Sequence, residues 1–262
     1  MKSQPALTFR NGLFYMRTSY READLLLACE KASLISTGLR EFIESREKVQ
    51  SYVEKHPEFL YSLEPVKPDS EAPEIAAAAI DASIKAGVGP MAALPGALAD
   101  RAMQAMLNQG AGTVIVENGG EVSMRIHREA VIGVYTGGEL NLGLIVDGST
   151  GTVGVSTSSS RVSHALSLGE ADAAVVVAEN ASLADAVSTR VGNIVKHGCR
   201  ESLEEAVELA LSIRGVTGCV VYSGGLLGFG GSVKPIMLKA SRLEVLESMM
   251  LKGHLFSFFV PV

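Results

Sequence analysis

The pattern of hydrophobic and polar positions at the start of the chain predicts a hairpin followed by a helix. Two short apolar runs, at residues 6–9 and 13–16, flank Asn11-Gly12, a pair that accepts the positive φ of a tight turn. Apolar residues at helical spacing then occupy one face of residues 39–53. This helix must end near Pro57, because the residue before a proline disfavours helical backbone.

A polar connector at residues 65–73 separates this region from an Ala-rich segment. Residues 75–86 and 97–108 favour helices by composition, with a break rich in Gly and Pro between them. Apolar runs bounded by glycine-containing turns predict strands further along the chain. The predicted strands cover residues 113–116, 122–126, 131–135, 142–146, 173–178 and 218–222, and the predicted helices between the last two cover 183–196 and 203–212. A Gly-rich turn is predicted at 224–231.

The order of these elements predicts the fold class. Strands come in meander-like groups with helices clustered between them, and no regular alternation of strand and helix occurs. This order predicts an α+β fold of layered sheets and helices instead of a doubly wound parallel sheet. The length of 262 residues fits a single domain, 1–262, and the connector at 65–73 is where two lobes would join.

Composition narrows the classes of function. The net charge of −6 and the lack of a Lys/Arg stripe argue against nucleic acid as a partner. No apolar run reaches the length of about 18 residues that spans a membrane, and none near the start has signal-peptide length. Three widely spaced cysteines, Cys29, Cys199 and Cys219, suit neither a disulfide framework nor a zinc site. We therefore expect a cytoplasmic protein without a membrane partner.

The segment Ala184-Asp185-Ala186 with Thr189 offers half of a metal site. Asp185 and Thr189 are four residues apart on a predicted helix, so their oxygen atoms lie on one face, one turn apart. Mg²⁺ prefers oxygen ligands and takes several of them from phosphates and water, and the start of a helix also attracts anions. A structural interpretation competes with this one, because Ser182-x-x-Asp185 has the spacing of a capping box.

The segment Asn118-Gly119-Gly120 lies between two predicted strands. Asn-Gly is first of all the signal of a hairpin turn. A functional interpretation is that the glycines let the backbone approach a ligand closely while the amide of Asn118 binds it. Both interpretations stay open at this point.

Residues 156–164 concentrate six hydroxyl side chains, Arg161 and His164. Such a loop would bind a phosphate or another polar ligand. The alternative is a solvated loop that binds nothing.

Taken in order, these motifs resemble the ApbE-like superfamily, whose best-known members move FMN from FAD onto a Thr or Ser of a partner protein. Gly96, then Asp100 near the start of a helix, then Asn118-Gly119-Gly120 resemble the central segment of that family. Ala184-Asp185-Ala186 with Thr189 resembles its metal-binding motif, and the matches together span roughly residues 87–192.

The resemblance implies an ApbE-like fold, with Mg²⁺ held by Asp185 and Thr189. It also implies FAD or a related nucleotide as the small-molecule ligand. The ligand-binding residues would be Asp100, Asn118, Gly119, Gly120, Ser158 and Ser159, with His164 as the catalytic residue.

The chain departs from the flavin transferases at two places. Pro95 stands where they carry a Lys, and residues 164–167 lack the Asp-Pro of their His-x-x-Asp-Pro segment. Residues 88–93 and 117–120 look closer to a branch of UPF proteins distinct from the true flavin transferases. That branch has been associated with sulfide incorporation into homocysteine.

Three functions follow from this resemblance and stay open. The first is a Mg²⁺-dependent enzyme that acts on FAD or another nucleotide diphosphate, FMN transfer included. The second is a sulfur-assimilation enzyme or partner subunit that forms homocysteine with the same fold. The third is a flavin-binding or interaction protein without turnover. A protein partner and a homo-oligomer are compatible with each.

Overall fold

The computed structural model describes residues 7–136, 141–148, 151–159, 169–238 and 259–261. The described helices are α1 (Ala32–Val53), α2 (Glu58–Tyr61), α3 (Glu74–Ala86), α4 (Leu94–Asn108), α5 (Ala181–Ile194) and α6 (Arg200–Ser212), and a 3-10 turn at Pro90–Ala92 precedes α4. The described strands are β1 (Leu7–Arg10), β2 (Leu13–Tyr20), β3 (Ala23–Cys29), β4 (Val114–Asn118), β5 (Glu121–Arg125), β6 (Glu129–Tyr135), β7 (Asn141–Asp147), β8 (Thr152–Ser158), β9 (Ala173–Ala178), β10 (Val216–Ser223), β11 (Leu226–Gly231), β12 (Lys234–Met237) and β13 (Phe259–Pro261).

The first elements confirm the predicted hairpin and helix. Strands β1 and β2 pair in antiparallel fashion, with Phe9 opposite Phe14. The turn between them is made by Asn11 and Gly12, whose φ angles of 53° and 81° lie in the left-handed region that this pair tolerates. Helix α1 ends at Val53, four residues before the proline at 57.

The described strands form two antiparallel sheets. Nine of them lie in the order β1-β2-β3-β4-β5-β8-β9-β10-β11, and four others lie in the order β12-β7-β6-β13. All neighbouring pairs are antiparallel. The arrangement is the α+β fold that the sequence predicts.

The nine-stranded sheet is the middle of three layers, because apolar residues cover both of its faces. Along β9, Ala174 and Val176 join the apolar cluster formed with the helices, whereas Val175 and Val177 join a second cluster formed with the four-stranded sheet. Alternating side chains of a strand point to opposite faces, so a strand between two layers is apolar throughout. The run at 173–178, which the sequence predicts as a strand, is fully buried in this way.

The predicted Gly-rich turn at 224–231 is wrong for most of its length. Only Gly224 and Gly225 make the turn, while Gly228 and Gly230 lie within β11. A Cβ at Gly230 would approach side chains of α6 to within 3.0 Å. The glycines are there because α6 packs directly on the strand, a tertiary cause that a turn signal does not reveal.

The main apolar cluster includes residues on both sides of the connector at 65–73, such as Phe42 and Val49 before it and Ile75 and Leu94 after it. Among the described helices, none combines the length and the hydropathy that a bilayer crossing requires.

Candidate functional site

The hairpin of β4 and β5 ends in a two-residue turn that carries the Asn-Gly-Gly motif. Asn118 is opposite Glu121 in the ladder, and Gly119 and Gly120 between them have φ angles of 69° and 131°. The hairpin interpretation is therefore confirmed. The side chain of Asn118 is buried, and its Nδ2 donates to the carbonyl of Pro95 at 2.9 Å. This bond fixes the turn against the first residues of α4.

The N-termini of α4 and α5 meet directly, and Gly96 makes this approach feasible. A Cβ at Gly96 would collide with the carbonyl group of Ala181 at the start of α5. Each helix also supplies a carboxylate to the other. Asp100 of α4 accepts hydrogen bonds from the backbone N–H groups of Ala181 and Ser182, each at 2.9 Å, and Asp185 of α5 accepts one from the backbone of Gly96 at 2.9 Å. The free N–H groups that begin a helix are thus satisfied reciprocally.

Asp100 is enclosed by this arrangement. In addition to the two backbone bonds, it accepts a hydrogen bond from the Ser123 hydroxyl at 2.6 Å. Burial raises the pKa of Asp100, and its hydrogen bonds with Ser123, Ala181 and Ser182 oppose that increase. The predicted ligand-binding residue therefore holds the start of α5 in place.

Asp185 is buried, and the capping-box interpretation of it is wrong. The N-cap of α5 is Asn180, whose side chain accepts from the backbone of Leu183, so the helix begins two residues before the predicted start at 183. Ser182 lies inside the first turn and cannot be the cap. Local spacing suggested a capping box, but in the folded protein the Asp185 carboxylate accepts a hydrogen bond from Gly96 of α4 instead.

Asp185 and Glu121 form a pair of interacting carboxyl groups. The Ser156 hydroxyl lies 3.5 Å from Glu121 Oε1 and 3.0 Å from the Ser188 hydroxyl, and it is close enough to the Asp185 carboxyl group to lower its pKa. Burial raises the pKa of Glu121 to about 8, with a further contribution from the charge of Glu117. Burial raises the pKa of Asp185 well above its usual value, and the charges of Glu121 and Asp100 add to this. Two carboxyl groups that repel each other in a buried site retain a proton at neutral pH.

The hydroxyl-rich run at 156–164 was predicted as a loop, and this is wrong for its first three residues. Residues 156–158 belong to β8, and Ser156 is paired with Val176 of β9. The side chains of Ser156 and Ser158 face α5, where a Cβ at Gly192 would lie 3.2 Å from Ser158 Oγ. Small hydroxyl side chains let the helix pack closely on the strand, so their polarity does not indicate solvation here.

The remaining predicted residues occupy different positions. Ser159 is buried and donates from its hydroxyl to the carbonyl of Asp172 at 2.6 Å. Thr189 lies one turn beyond Asp185 on α5 and is half-buried. His164 lies outside the described residues. The structure thus brings together Asn118, Asp100 and Asp185 with the turn glycines and the start of α4.

A cavity of about 340 Å³ opens beside this group, and we call it the helix-side cavity. Its apolar wall comes mainly from α1 and α4, and its polar groups come from β3, the β4–β5 turn and α1. It is lined by Glu22, Ala23, Asp24, Phe42, Arg46, Val49, Gln50, Val53, Leu60, Met91, Leu94, Pro95, Leu98, Asn118, Gly119 and Glu121. Apolar walls with a few converging polar groups are typical of small-molecule sites.

Among the described residues, no group of three or more His, Cys, Asp or Glu side chains is arranged to hold a metal ion. The same part of the chain forms no ion pair with Glu121 or Asp185. Mg²⁺ commonly uses one or two protein carboxylates and keeps water or phosphate oxygens for the rest. Asp185 and Glu121 would supply two such carboxylates, and Thr189 lies one turn beyond Asp185 on the same helix.

Sequence reasoning gave Glu121 and Ser188 no place in the site, and it included Ser156 only as part of the hydroxyl-rich run at 156–164. They come from β5, β8 and α5, and no local motif joins them. One signal was present in the sequence. Glu117 and Glu121 are two carboxyl groups that flank the turn of a hairpin whose positions 114–116 and 122–124 are apolar or small, which is unusual for a central strand pair.

Comparison with known proteins gives a consistent result. The sequence model of the family described as AbpE bacteria matches residues 7–212. A UPF0280 protein from Methanosarcina acetivorans is 34% identical over 227 residues, which cover 86% of this chain and 88% of the relative. A UPF0280 protein from Methanococcoides burtonii is 33% identical over 218 residues, which cover 82% of this chain and 92% of the relative.

Solved structures with the same fold are also found. The ApbE protein from Thermotoga maritima superposes with a TM-score of 0.58 at 16% identity, covering 89% of this chain and 98% of that one. The apo form of the flavinyl transferase ApbE from Pseudomonas stutzeri superposes with a TM-score of 0.55 at 14% identity, covering 88% of this chain and 96% of that one. These two likenesses show a shared fold.

Proposed function

Since the chain belongs to the ApbE-like superfamily, in the branch of the UPF0280 proteins, we propose that the helix-side cavity binds FAD or another nucleotide diphosphate together with Mg²⁺. One observation carries the proposal. A cavity of ligand size opens where the Asn118 turn, the start of α4 and the Glu121 carboxyl group meet. The flavin transferase among the structures of the same fold supports a flavin as the nucleotide.

The shape of the helix-side cavity suits one ring system of a dinucleotide. Its volume of about 340 Å³ is near the lower end of the range for small-molecule sites. Phe42, Val49 and Leu98 supply apolar surface for a flat ring. The diphosphate of the same ligand would then lie near the mouth of the cavity, towards Pro95 and Asn118.

The start of α4 favours the diphosphate at that position. Leu94 and Pro95, its first two residues, line the cavity. The N–H of Gly96 is already bonded to Asp185 and Pro95 has none, so the contribution to anion binding is the partial positive charge of the helix end. The Nδ2 group of Asn118 holds the carbonyl of Pro95, so the turn and the helix start move as one unit. Asn118 would therefore fix the phosphate end of the site, and it would contact the ligand because it also lines the cavity.

The proposal places Mg²⁺ beside the carboxyl pair, of which Glu121 is the member that lines the cavity. Asp185 and Thr189 would hold the ion, and Glu121 lies close enough to Asp185 to shift its pKa. The ion would supply positive charge that neutralises the diphosphate and polarises the bond between its phosphates. The chain's own contribution is the placement of carboxylate oxygens, because the described residues offer the pair no cation.

Flavin binding and FMN transfer are separable functions at this site. Pro95 replaces the Lys of the flavin transferases, and proline has no backbone N–H to donate to a ligand. Binding requires the cavity and the metal, whereas transfer also requires an activated hydroxyl acceptor. The test therefore needs one arm for each function.

The first arm titrates FAD into the protein by calorimetry, with Mg²⁺ and with EDTA. We expect binding that depends on Mg²⁺ and is at least about tenfold weaker in Asn118→Ala, since a hydrogen bond to a charged group is lost. Asn108→Ala is the matched control, because Asn108 is exposed at the far end of α4. Equal affinity in Asn118→Ala and the native protein would contradict the proposal.

The second arm incubates the protein with FAD and Mg²⁺ and measures intact masses after denaturation. The mass of one added FMN, on this chain or on an added acceptor peptide, would extend the proposal to flavin transfer. Tight FAD binding with unchanged masses would support the flavin-binding protein without turnover.

A further inference from the structure

A second cavity, of about 330 Å³, lies on the face of the nine-stranded sheet that is turned away from the helices. We call it the sandwich-side cavity. Leu13, Tyr15 and Ile115 line its floor, and the β5–β6 connection at 126–130 forms its wall. The strand register places Tyr15 opposite Ala28 and Ala28 opposite Ile115, so these residues share one face of β2, β3 and β4.

The sandwich-side cavity is independent of the helix-side cavity. Ile115, Ile126 and Ala130 belong to the apolar cluster between the two sheets, whereas Phe42 and Leu94 of the helix-side cavity belong to the cluster under the helices. The nine-stranded sheet separates the two cavities. A ligand in one cavity therefore does not touch the lining of the other.

Two arginines act on the polar end of the sandwich-side cavity. Arg128 lines it, whereas Arg10 is outside the lining and lies opposite Leu13 in the β1–β2 ladder. Both arginines lie close enough to the Tyr15 hydroxyl to affect its ionisation. Burial raises the pKa of Tyr15, and the two arginines only partly oppose this, so the hydroxyl stays protonated and can donate a hydrogen bond. No ion pair joins Arg10 or Arg128 to another described residue.

The carboxylates at this cavity are already engaged. Glu30 accepts hydrogen bonds from the backbone N–H groups of Gly112 at 2.6 Å and Thr113 at 2.9 Å. Glu129 lies 3.9 Å from the ammonium group of Lys234. In a chain of net charge −6, this cavity thus combines an apolar floor with donors that form no ion pair within the described part of the chain.

We propose that the sandwich-side cavity binds a small organic anion, namely an aromatic carboxylate or phosphate monoester. Its ring would pack on Leu13 and Ile115, and its anionic group would accept hydrogen bonds from Arg128 and the Tyr15 hydroxyl, which both line the cavity. Guanidinium groups suit both carboxylate and phosphate because their planar N–H donors match the geometry of two oxygen atoms.

The experiment measures the binding of four probes to the full chain by calorimetry: benzoate, phenyl phosphate, benzamide and inorganic phosphate. We expect the two aromatic anions to bind more tightly than neutral benzamide or ringless phosphate, since only they use both halves of the cavity. Their relative affinities distinguish a carboxylate from a phosphate ligand. Arg128→Gln should weaken the aromatic anions at least about tenfold, and Tyr15→Phe should weaken them less.

Two control variants locate the probes. Arg125→Gln removes an exposed arginine from the same sheet outside both cavities, and Arg46→Gln removes the arginine of the helix-side cavity. Neither change should affect probe binding. The proposal would be overturned if no aromatic anion bound, if benzamide bound as tightly as benzoate, or if Arg46→Gln weakened the anions while Arg128→Gln did not.

Discussion

The two faces of the nine-stranded sheet are built from the same strands but bury different chemistry. Towards the four-stranded sheet, Met124 and Val155 pack with Leu144 in an apolar cluster. Towards the helices, the neighbouring residues of the same strands carry hydroxyl groups. Ser123 bonds with Asp100 of α4, and Ser156 lies beside Glu121 and Asp185 of α5. Each of these strands thus contributes one set of side chains to the apolar core and the other set to the candidate site.

This difference has an energetic cause. Apolar burial stabilises the sandwich of two sheets at about 25 cal/mol per Å² and leaves no polar group to satisfy. On the helix side, burial of Asp185 and Glu121 opposes their ionisation, and the pKa values of both are raised. Such groups are retained where helix starts and hydroxyls compensate them, or where a bound cation does. We therefore expect changes on the two faces to separate stability from binding.

The largest expected effect is on the sandwich side. Leu144 is completely buried between the sheets, and Leu144→Ala leaves a cavity that neighbouring strands cannot close. We expect a loss of about 2–5 kcal/mol in the free energy of unfolding, measured by urea denaturation. FAD affinity, measured well below the melting temperature, should not change. A loss of affinity together with stability would show that the two faces are coupled.

The next effect concerns Asp100, which joins α4 to α5. Asp100→Ala leaves the N–H groups of Ala181 and Ser182 without their carboxylate, so we expect a loss of about 2–3 kcal/mol in the free energy of unfolding. Asp81→Ala, at an exposed position of α3, is the control and should change it by less than about 0.5 kcal/mol. Equal, small losses in both variants would show that Asp100 does not stabilise the contact between α4 and α5.

The dependence of the free energy of unfolding on pH distinguishes the carboxyl pair on the helix side from the apolar sandwich side. Because burial raises the pKa of Glu121 from 4.5 to about 8, its folded state keeps a proton that the unfolded chain releases. The contribution of Glu121 to the free energy of unfolding is fully present below pH 4.5 and is lost as the pH rises towards 8. The slope is at most about 1.4 kcal/mol per pH unit for one proton.

The variant Glu121→Gln should flatten that slope, because glutamine stays neutral at every pH in the series. Urea denaturation at intervals between pH 5 and pH 9 measures it, in steps of about one unit. Glu205→Gln, at an exposed position of α6, should leave the slope as it is in the native protein. A slope unchanged by Glu121→Gln would show that this carboxyl group is ionised in the folded protein across the range.

The sequence predicts the parts of this molecule that depend on local pattern. The hairpin at Asn11-Gly12 follows from turn chemistry, and the strand at 173–178 follows from a continuous apolar run. The position of Asn118-Gly119-Gly120 in a turn follows in the same way. These elements are decided within a few residues, so a single sequence contains the information.

The carboxyl arrangement could not be predicted in this way, because it depends on contacts between distant elements. Asp100 bonds with backbone 81 and 82 residues further along the chain, and Asp185 bonds with Gly96 at a separation of 89 residues. The strand that contains Ser156 was predicted as a loop because small hydroxyl residues favour loops when no helix covers them. Only the packing of α5 on β8 reverses that preference.

The smallest expected effect compares adjacent residues of β8 that face opposite layers. The Ser156 hydroxyl links Glu121 to Ser188, so Ser156→Ala should lower the free energy of unfolding by about 0.5–1.5 kcal/mol. Val155→Ala, on the sandwich side, should cost more, about 1–3 kcal/mol, without changing any carboxyl titration. The Ser156 hydrogen bond favours ionised Glu121, so its removal should raise the pKa of Glu121 further, as followed by NMR of the carboxyl carbon. Ser212→Ala, at an exposed position of α6, serves as the control for loss of a hydroxyl. If the pKa of Glu121 fell or stayed the same in Ser156→Ala, the Ser156 hydroxyl would not stabilise the ionised form of Glu121. The carboxyl groups of this face would then be compensated by the helix starts alone.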